Sequence, residues 1–312
     1  EVIKRGKFQK IFLSYFAGVV GGLSISSNFW IILMPISLFL LWNQFDDRDS
    51  NFRWGFAFIF SSHYWLIYLH PLTWLGFSWF ASIFISISIL LICSSMGGIL
   101  VMIWGYFANK IFQKEKIAYQ NLLQLFSKAF FLSSLWAFGE LFLSKTSFFW
   151  IGLSESLIPG DIYLAGLSRW IGSSGLCTLL LIFGFWIWLI YKKRQNKLHF
   201  KRLFSVGLIV ITIIHLIGAF LIKPSARNSS YPIAIWQTNF PTRKKIFMRN
   251  KEVIEDLNFI QKNAISKGAK LLVAPEGTLK SELDFVIDNK INTLIGGFRT
   301  TDSGLKSSLL AY

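Results

Sequence analysis

The sequence predicts a polytopic α-helical membrane bundle of about seven spans, followed by the first part of an extracytoplasmic α/β domain. Three observations carry this expectation. The 312 residues are 53% hydrophobic, 17% aromatic and only 15% charged, with a mean hydropathy of +0.50, whereas a soluble globular chain has about 25% charged residues. Several uncharged stretches are long enough to cross a bilayer. Near residue 223 the composition turns polar, and the patterns of strands and a helix follow.

Taken in order, Ile11 to Phe45 carries no charge and breaks at Ser24-Ile-Ser-Ser-Asn28 into two short spans. Trp54 to Ala108 is also uncharged, but the His70-Pro71 step interrupts it, because proline disfavours helix at the residue before it. Further spans run from about Leu122 to Leu143, Ile162 to Tyr191 and Leu203 to Ile222. Leu72 to Ala108 is long for one crossing at about 1.5 Å per residue, and Ser94-Ser-Met-Gly-Gly98 offers a place to turn.

Charge bias decides that stretch. Thirty-two Lys and Arg against 16 Asp and Glu give +16. On a water-soluble protein this would suggest nucleic acid; here membrane topology explains it better, and no nucleic-acid partner is expected. Basic residues crowd before the first span (Lys4, Arg5, Lys7, Lys10), after the long stretch (Lys110, Lys114, Lys116) and in KKRQNKLHFKR at 192–202. All three clusters reach the cytoplasm only if 72–108 crosses once, with an interfacial start around Trp74 to Trp79. That yields seven spans, a cytoplasmic amino terminus and an extracytoplasmic segment after Lys223. A cleaved signal over 1–27 is a weaker alternative, since no small-x-small cleavage site is clear.

Two domains are therefore expected, 1–222 in the membrane and 223–312 outside it. In the second, IAIWQTNFP at 233–241 reads as a strand entering a loop, and 250–267 as an amphipathic helix stopped by Gly268. LLVAPEG at 271–277 and Asn292 to Phe298 read as further strands, the first apolar on both faces and so buried in a sheet with some parallel pairing. About 90 residues make only about half of an ordinary domain. The chain also opens on Glu1 and stops at Tyr312 without a closing element, so it reads as a piece of something longer.

Glu276 is the most informative residue. It follows Pro275 directly after an apolar strand, which puts a carboxylate at the carboxyl end of a buried strand, where α/β sheets gather their sites. Proline ends the ladder there, and partial dehydration suits a general base. The plainer alternative is an exposed acidic residue in a turn.

LLVAPEG, preceded by a strand ending in Gln237-Thr-Asn239-Phe-Pro241 and followed by Ile295-Gly-Gly-Phe298, resembles the beginning of a nitrilase-superfamily domain, an αββα sandwich. Such a domain behind a multi-span bundle resembles the bacterial apolipoprotein N-acyltransferases. Trp136 with Glu140, then Ser147-Phe-Phe-Trp150-Ile-Gly152-Leu-Ser154, Gly172 and Gly175, are similar to that family's pattern for its fifth and sixth spans. The resemblance covers essentially the whole chain.

What the resemblance implies is a Glu-Lys-Cys site facing the periplasm, in the inner membrane of a bacterium. An acyl chain would pass from a phospholipid through a cysteine thioester to the α-amine of a diacylglyceryl-cysteine lipoprotein. Glu276 is then the catalytic glutamate, and Trp136, Glu140, Trp150, Gln237 and Asn239 are candidate substrate-binding residues. A phospholipid donor, a lipoprotein acceptor, surrounding membrane lipids, a monomer and no cofactor are expected. The family's Lys and Cys lie farther along the domain than residue 312, so the chain alone is expected to be inactive. Leu141, Phe142 and Leu143 depart from the aromatic and Arg that the family has beyond its Glu, and no tryptophan stands near Ile246-Phe247.

The remaining marked residues have plainer readings. Cys93 and Cys177 sit in apolar stretches and suggest small buried or lipid-facing side chains. His63, His70, His199 and His215 have no partner at ligand spacing, so no metal site is expected. Lys128 reads as a snorkelling residue; Glu140 and Arg169 either pair with each other, reach the interface, contact a headgroup or anchor the loop between their spans. Two other functional readings stand beside the acyltransferase: a transporter or scaffold with a small external domain, for which internal repeats are lacking, and, by the same resemblance, a membrane-anchored nitrilase-type amidase that shares the Glu and differs in acceptor.

Overall fold

A computed structural model describes residues 2–26, 32–112, 121–146, 151–222, 231–240, 250–279, 291–302 and 304–312. The chain divides into two compact units, Glu1–Lys223 and Pro224–Tyr312.

The first unit is helical. In chain order it contains α1 (Val2–Ser26), α2 (Leu33–Asn43), α3 (Arg48–Ser62), α4 (Trp79–Phe112), α5 (Leu122–Ser144), the single turn α6 (Ile162–Ala165), α7 (Ser168–Lys193) and α8 (Lys197–Leu221). Among the described residues, five helices are long and apolar enough to cross a membrane: α1 over Phe8–Ile25, α4, α5, α7 and α8. The expected count of seven turns on the other two. Helix α2 has 11 residues and α3 has 15, about 16 and 22 Å of rise against a hydrocarbon core of about 30 Å.

Helix α4 runs unbroken for 34 residues through Ser94 to Gly98, so no turn forms there. The segment before it behaves as its proline and aromatics suggest. A 3-10 turn at Tyr64–Leu69 ends at extended His70, a second covers Thr73–Leu75, and α4 starts only at Trp79. Two boundaries differ from expectation. Helix α8 begins at Lys197, six residues before the apolar run, because Asn196 caps it by accepting from the His199 N–H at 3.2 Å. The expected span from Ile162 is α6 and then α7, and Gly172 inside α7 has a left-handed φ of 65° that kinks it.

Inside a lipid solvent apolar helices gain no hydrophobic energy by associating, so close van der Waals packing and direct hydrogen bonds hold them together. The Ser37 hydroxyl donates to the Ala17 carbonyl at 2.6 Å, tying α2 to α1, and the Trp42 indole donates to Leu181 O at 2.9 Å, tying α2 to α7. Around Trp42 the core is aromatic: Trp104 lies edge-on at 4.9 Å and Phe185 at 5.0 Å between centroids. The two cysteines are buried.

The second unit holds a four-stranded sheet in the order β1 (Ile233–Ile235), β2 (Leu271–Ala274), β3 (Asn292–Thr301), β4 (Gly304–Ala311), with α9 (Asn250–Ser266) between β1 and β2. Pairing is parallel from β1 to β3 and antiparallel between β3 and β4. Helix α9 buries Val253, Leu257 and Ala264 in the same core as Leu272, Ala274 and Ile295. The rest of its surface is mainly polar, with Phe259 exposed, as an amphipathic helix requires. Gly268, with φ of 81°, supplies the left-handed stop after α9. Strand β4 was not foreseen. GLKSSLLA alternates weakly and becomes a strand by pairing with β3 through the register Phe298 to Ser307.

Candidate functional site

In a parallel sheet the carboxyl ends of neighbouring strands share an edge, so the chain order β1, α9, β2, β3 brings distant residues together. Ile235 pairs with Val273, and the Trp236 N–H extends that ladder to Val273 O at 2.8 Å. Gln237 and Asn239, just past β1, therefore leave the sheet at the same edge as Glu276, just past β2. All three are exposed, and Asn239 adopts φ of 50°, a conformation Asn tolerates better than most residues. Their exposure departs from the expectation that Glu276 is partly dehydrated. Pro275 ends the ladder, as expected, and the chain turns there.

The turn that carries Glu276 is bound to the edge of β3. Thr278 and Leu279 donate their backbone N–H groups to Gly296 O at 2.8 and 3.2 Å, and the Thr278 hydroxyl donates to Pro275 O at 2.6 Å. Gly296 has to be small. A methyl there would meet the Glu276 Cα and lie 2.7 Å from Pro275 O and 2.8 Å from Glu276 N. Gly296→Ala is therefore expected to displace the turn and destabilise the protein by about 1–3 kcal/mol, read as a lower unfolding midpoint. An unchanged midpoint would show that the turn can shift freely.

The Glu276 carboxylate is also held from β4. The Ser307 hydroxyl donates to its Oε1 at 2.8 Å. Ser307 was missed because β4 was missed; the signal was Asp302 and Gly304, turn formers between two strand-like runs. Carboxylate, donor hydroxyl and the two side chains past β1 make a polar edge of the sheet. Among the described residues of this unit there is no thiol, and both cysteines of the chain, Cys93 and Cys177, lie in the helical unit.

A second constellation lies within that helical unit. Trp136 and Glu140 are buried, at 2% and 7% exposure. The Trp136 indole donates to Glu140 Oε1 at 3.0 Å, and the Leu153 N–H donates to Oε1 at 3.1 Å and to Oε2 at 3.3 Å. Gly152 makes this approach possible, since a methyl there would lie 2.6 Å from Oε2. Of the readings open for Glu140, the loop anchor is the one its contacts match. It does not pair with Arg169, whose guanidinium donates instead to Leu221 O at 3.4 Å, joining α7 to the end of α8. The Trp136 ring packs edge-on against Trp54 at 5.9 Å and Trp104 at 5.5 Å. It also borders an apolar groove of about 390 Å³ between α4 and α5, lined by Ile103, Leu135, Phe138 and Phe142 among others.

Trp150 and the basic run Arg243 to Lys245 lie outside the described residues. One expectation is corrected: His215 is not alone. Its Nε2 lies 2.9 Å from Asp161 Oδ2 and its Nδ1 2.8 Å from Ile211 O, while Asp161 Oδ1 caps α6 by accepting from Leu164 N–H at 3.0 Å. The two residues are 54 apart in sequence, so only the packing of α8 on α6 reveals the pair.

No known protein-family profile matches the chain. Individual proteins do. The chain is 52% identical over 306 residues, 98% of its length, to a protein of Prochlorococcus marinus subsp. pastoris named apolipoprotein N-acyltransferase, of which it covers 62%. It is 36% identical over 311 residues, 99% of its length, to a protein of the same name from another strain of Prochlorococcus marinus, covering 63% of it. A third of that name, from Parasynechococcus marenigrum, is 30% identical over 304 residues, 97% of this chain and 63% of the relative. The chain thus spans about three fifths of the length of the curated relatives it matches.

Proposed function

The chain is homologous over almost its whole length to apolipoprotein N-acyltransferases, and on that premise we propose that it comprises the membrane bundle (1–222) and the first part of the nitrilase-like domain (223–312) of such an enzyme. The observation that carries the catalytic assignment is the position of Glu276, one residue beyond a proline that closes a parallel strand, on a turn bonded to β3 and β4.

The chemistry follows from what a phospholipid ester needs. A cysteine thiol supplied by the longer protein attacks the ester carbonyl, and Glu276 accepts the thiol proton as the sulfur–carbon bond forms. The carbon–oxygen bond then breaks, and the lysophospholipid leaves as an alcohol with that proton. In the second half the lipoprotein's α-amine attacks the thioester, Glu276 relays the amine proton, and the thiol is regenerated. A lysine in the remaining part of the domain stabilises the oxyanion in both halves. Ser307 orients the carboxylate, and Gln237 and Asn239 offer polar contacts to the donor's headgroup at the same edge. Trp136 and Glu140 act from within the bundle by holding the loop that carries Trp150.

In this reading the bundle crosses the inner membrane seven times, with α2 and α3 as short crossings. The amino terminus and the basic 192–202 segment are cytoplasmic, the sheet is periplasmic, and the enzyme acts as a monomer on a phospholipid donor and a lipoprotein acceptor.

The test compares this chain with the full-length parent in membranes, using a diacylglyceryl-cysteine peptide as acceptor and reading its acylation by mass. Acyl transfer is expected from the parent and none from residues 1–312, which hold no cysteine after Cys177. Robust transfer by the 312-residue chain would remove the external thiol from the mechanism. Ammonia release from a simple amide, without acylation of the peptide, would favour the amidase.

A further inference from the structure

A groove of about 440 Å³ opens along α5, α7 and α8, floored by Phe126, Ile182, Trp186, Val206, Val210 and Ile214, and the cation that lines it is Arg202. From its chemistry we infer that it holds one anionic phospholipid, with an acyl chain along the groove and the phosphate on the Arg202 guanidinium. This site is independent of the Glu276 chemistry, and its cation lies near the amino-terminal end of α8, away from residue 223.

Length argues first. On α8 the lining runs from Arg202 to Ile214, twelve residues or about 18 Å of rise, against about 15 Å for one leaflet's share of the hydrocarbon core. The groove is thus as deep as a single lipid tail, with its cation at the depth of a headgroup.

Rigidity argues second. The Trp186 indole donates to Leu203 O at 3.0 Å, which fixes the ring against α8. Gly207 leaves room for it, since a side chain there would overlap the indole. A preformed groove costs a ligand less ordering than one that must be shaped on binding.

Charge argues third. Within the basic 192–202 segment, Lys192 sits 5.8 Å above the Trp188 ring and Arg194 4.0 Å above the Tyr191 ring. Arg202 is exposed and forms no ion pair among the described residues. A guanidinium suits a phosphate because it donates in a fixed fork. A zwitterionic lipid would bring its phosphate with an ammonium that Arg202 and the basic 192–202 segment repel, and a soluble anion would leave the apolar walls empty.

The experiment reconstitutes the full 312-residue chain in nanodiscs of equal parts phosphatidylglycerol and phosphatidylethanolamine, extracts it in mild detergent and reads retained lipid by native mass spectrometry. One phosphatidylglycerol per chain is expected. Arg202→Gln should lower the phosphatidylglycerol-to-phosphatidylethanolamine ratio about fivefold, the equivalent of about 1 kcal/mol for one charge near a membrane surface. Lys201→Gln, in the same cluster but outside the groove, should leave the ratio unchanged. Val210→Trp, which fills the groove from a half-exposed position, should lower retention of both lipids. If that variant loses its unfolding transition, the Arg202 and Lys201 pair decides alone. Equal retention of both lipids by the unmodified chain, equal loss in the two charge variants, or undiminished retention by a folded Val210→Trp protein would each overturn the proposal.

Discussion

Replacing Glu276 by glutamine in the full-length parent is expected to lower acyl transfer to the diacylglyceryl peptide by at least about a hundredfold, the usual worth of a positioned general base. Glutamine has nearly the same shape and still offers an oxygen to the Ser307 hydroxyl, which donates to the carboxylate at 2.8 Å. The turn should therefore survive, and only the ability to accept a proton should be lost. Ser307→Ala, which leaves the carboxylate but removes its tether, should cost much less. Membrane insertion and the unfolding midpoint should match the unmodified protein in both variants. Activity in Glu276→Gln within a fewfold of the parent would remove the glutamate from the mechanism.

Glu140→Ala is expected to produce the largest loss of stability from a single side chain in the bundle. The carboxylate accepts from the Trp136 indole and the Leu153 N–H while only 7% exposed. Removing it leaves the Trp136 and Leu153 donors without this acceptor, at about 1–3 kcal/mol each. Glu140→Gln keeps one acceptor oxygen and should cost clearly less. A double-mutant cycle with Trp136→Phe should give a coupling of about 0.5–3 kcal/mol, because that change removes the indole donor. Thermal unfolding in detergent reads all of these. If Glu140→Ala unfolds within about 0.5 kcal/mol of the unmodified protein, the loop is held by other contacts.

Much of the fold was legible because membrane spans and short buried strands leave strong one-dimensional signatures. The apolar run from Trp79, the amphipathic stripe of α9 and the strand before Pro275 each follow from spacing and composition. Glu276 was legible for the same reason, since a proline after an apolar strand marks where the chain leaves the ladder. Ser307 was not, because a weakly patterned segment becomes a strand only when β3 supplies its partner. The pair His215 and Asp161 was hidden likewise, as was the difference between an anchor and a lipid contact at Glu140.

By itself the sequence determined that the chain is mostly membrane helix, that a polar α/β unit follows residue 223, and that one carboxylate stands at the end of a buried strand. These are statements about hydrophobic period and local turn chemistry, and neighbouring residues carry them. Only the tertiary structure decided what that carboxylate and Glu140 touch, and that α5, α7 and α8 leave a groove beneath Arg202. Hydrogen bonds and cavities are made by residues far apart in the chain, and their geometry exists only once the elements have packed.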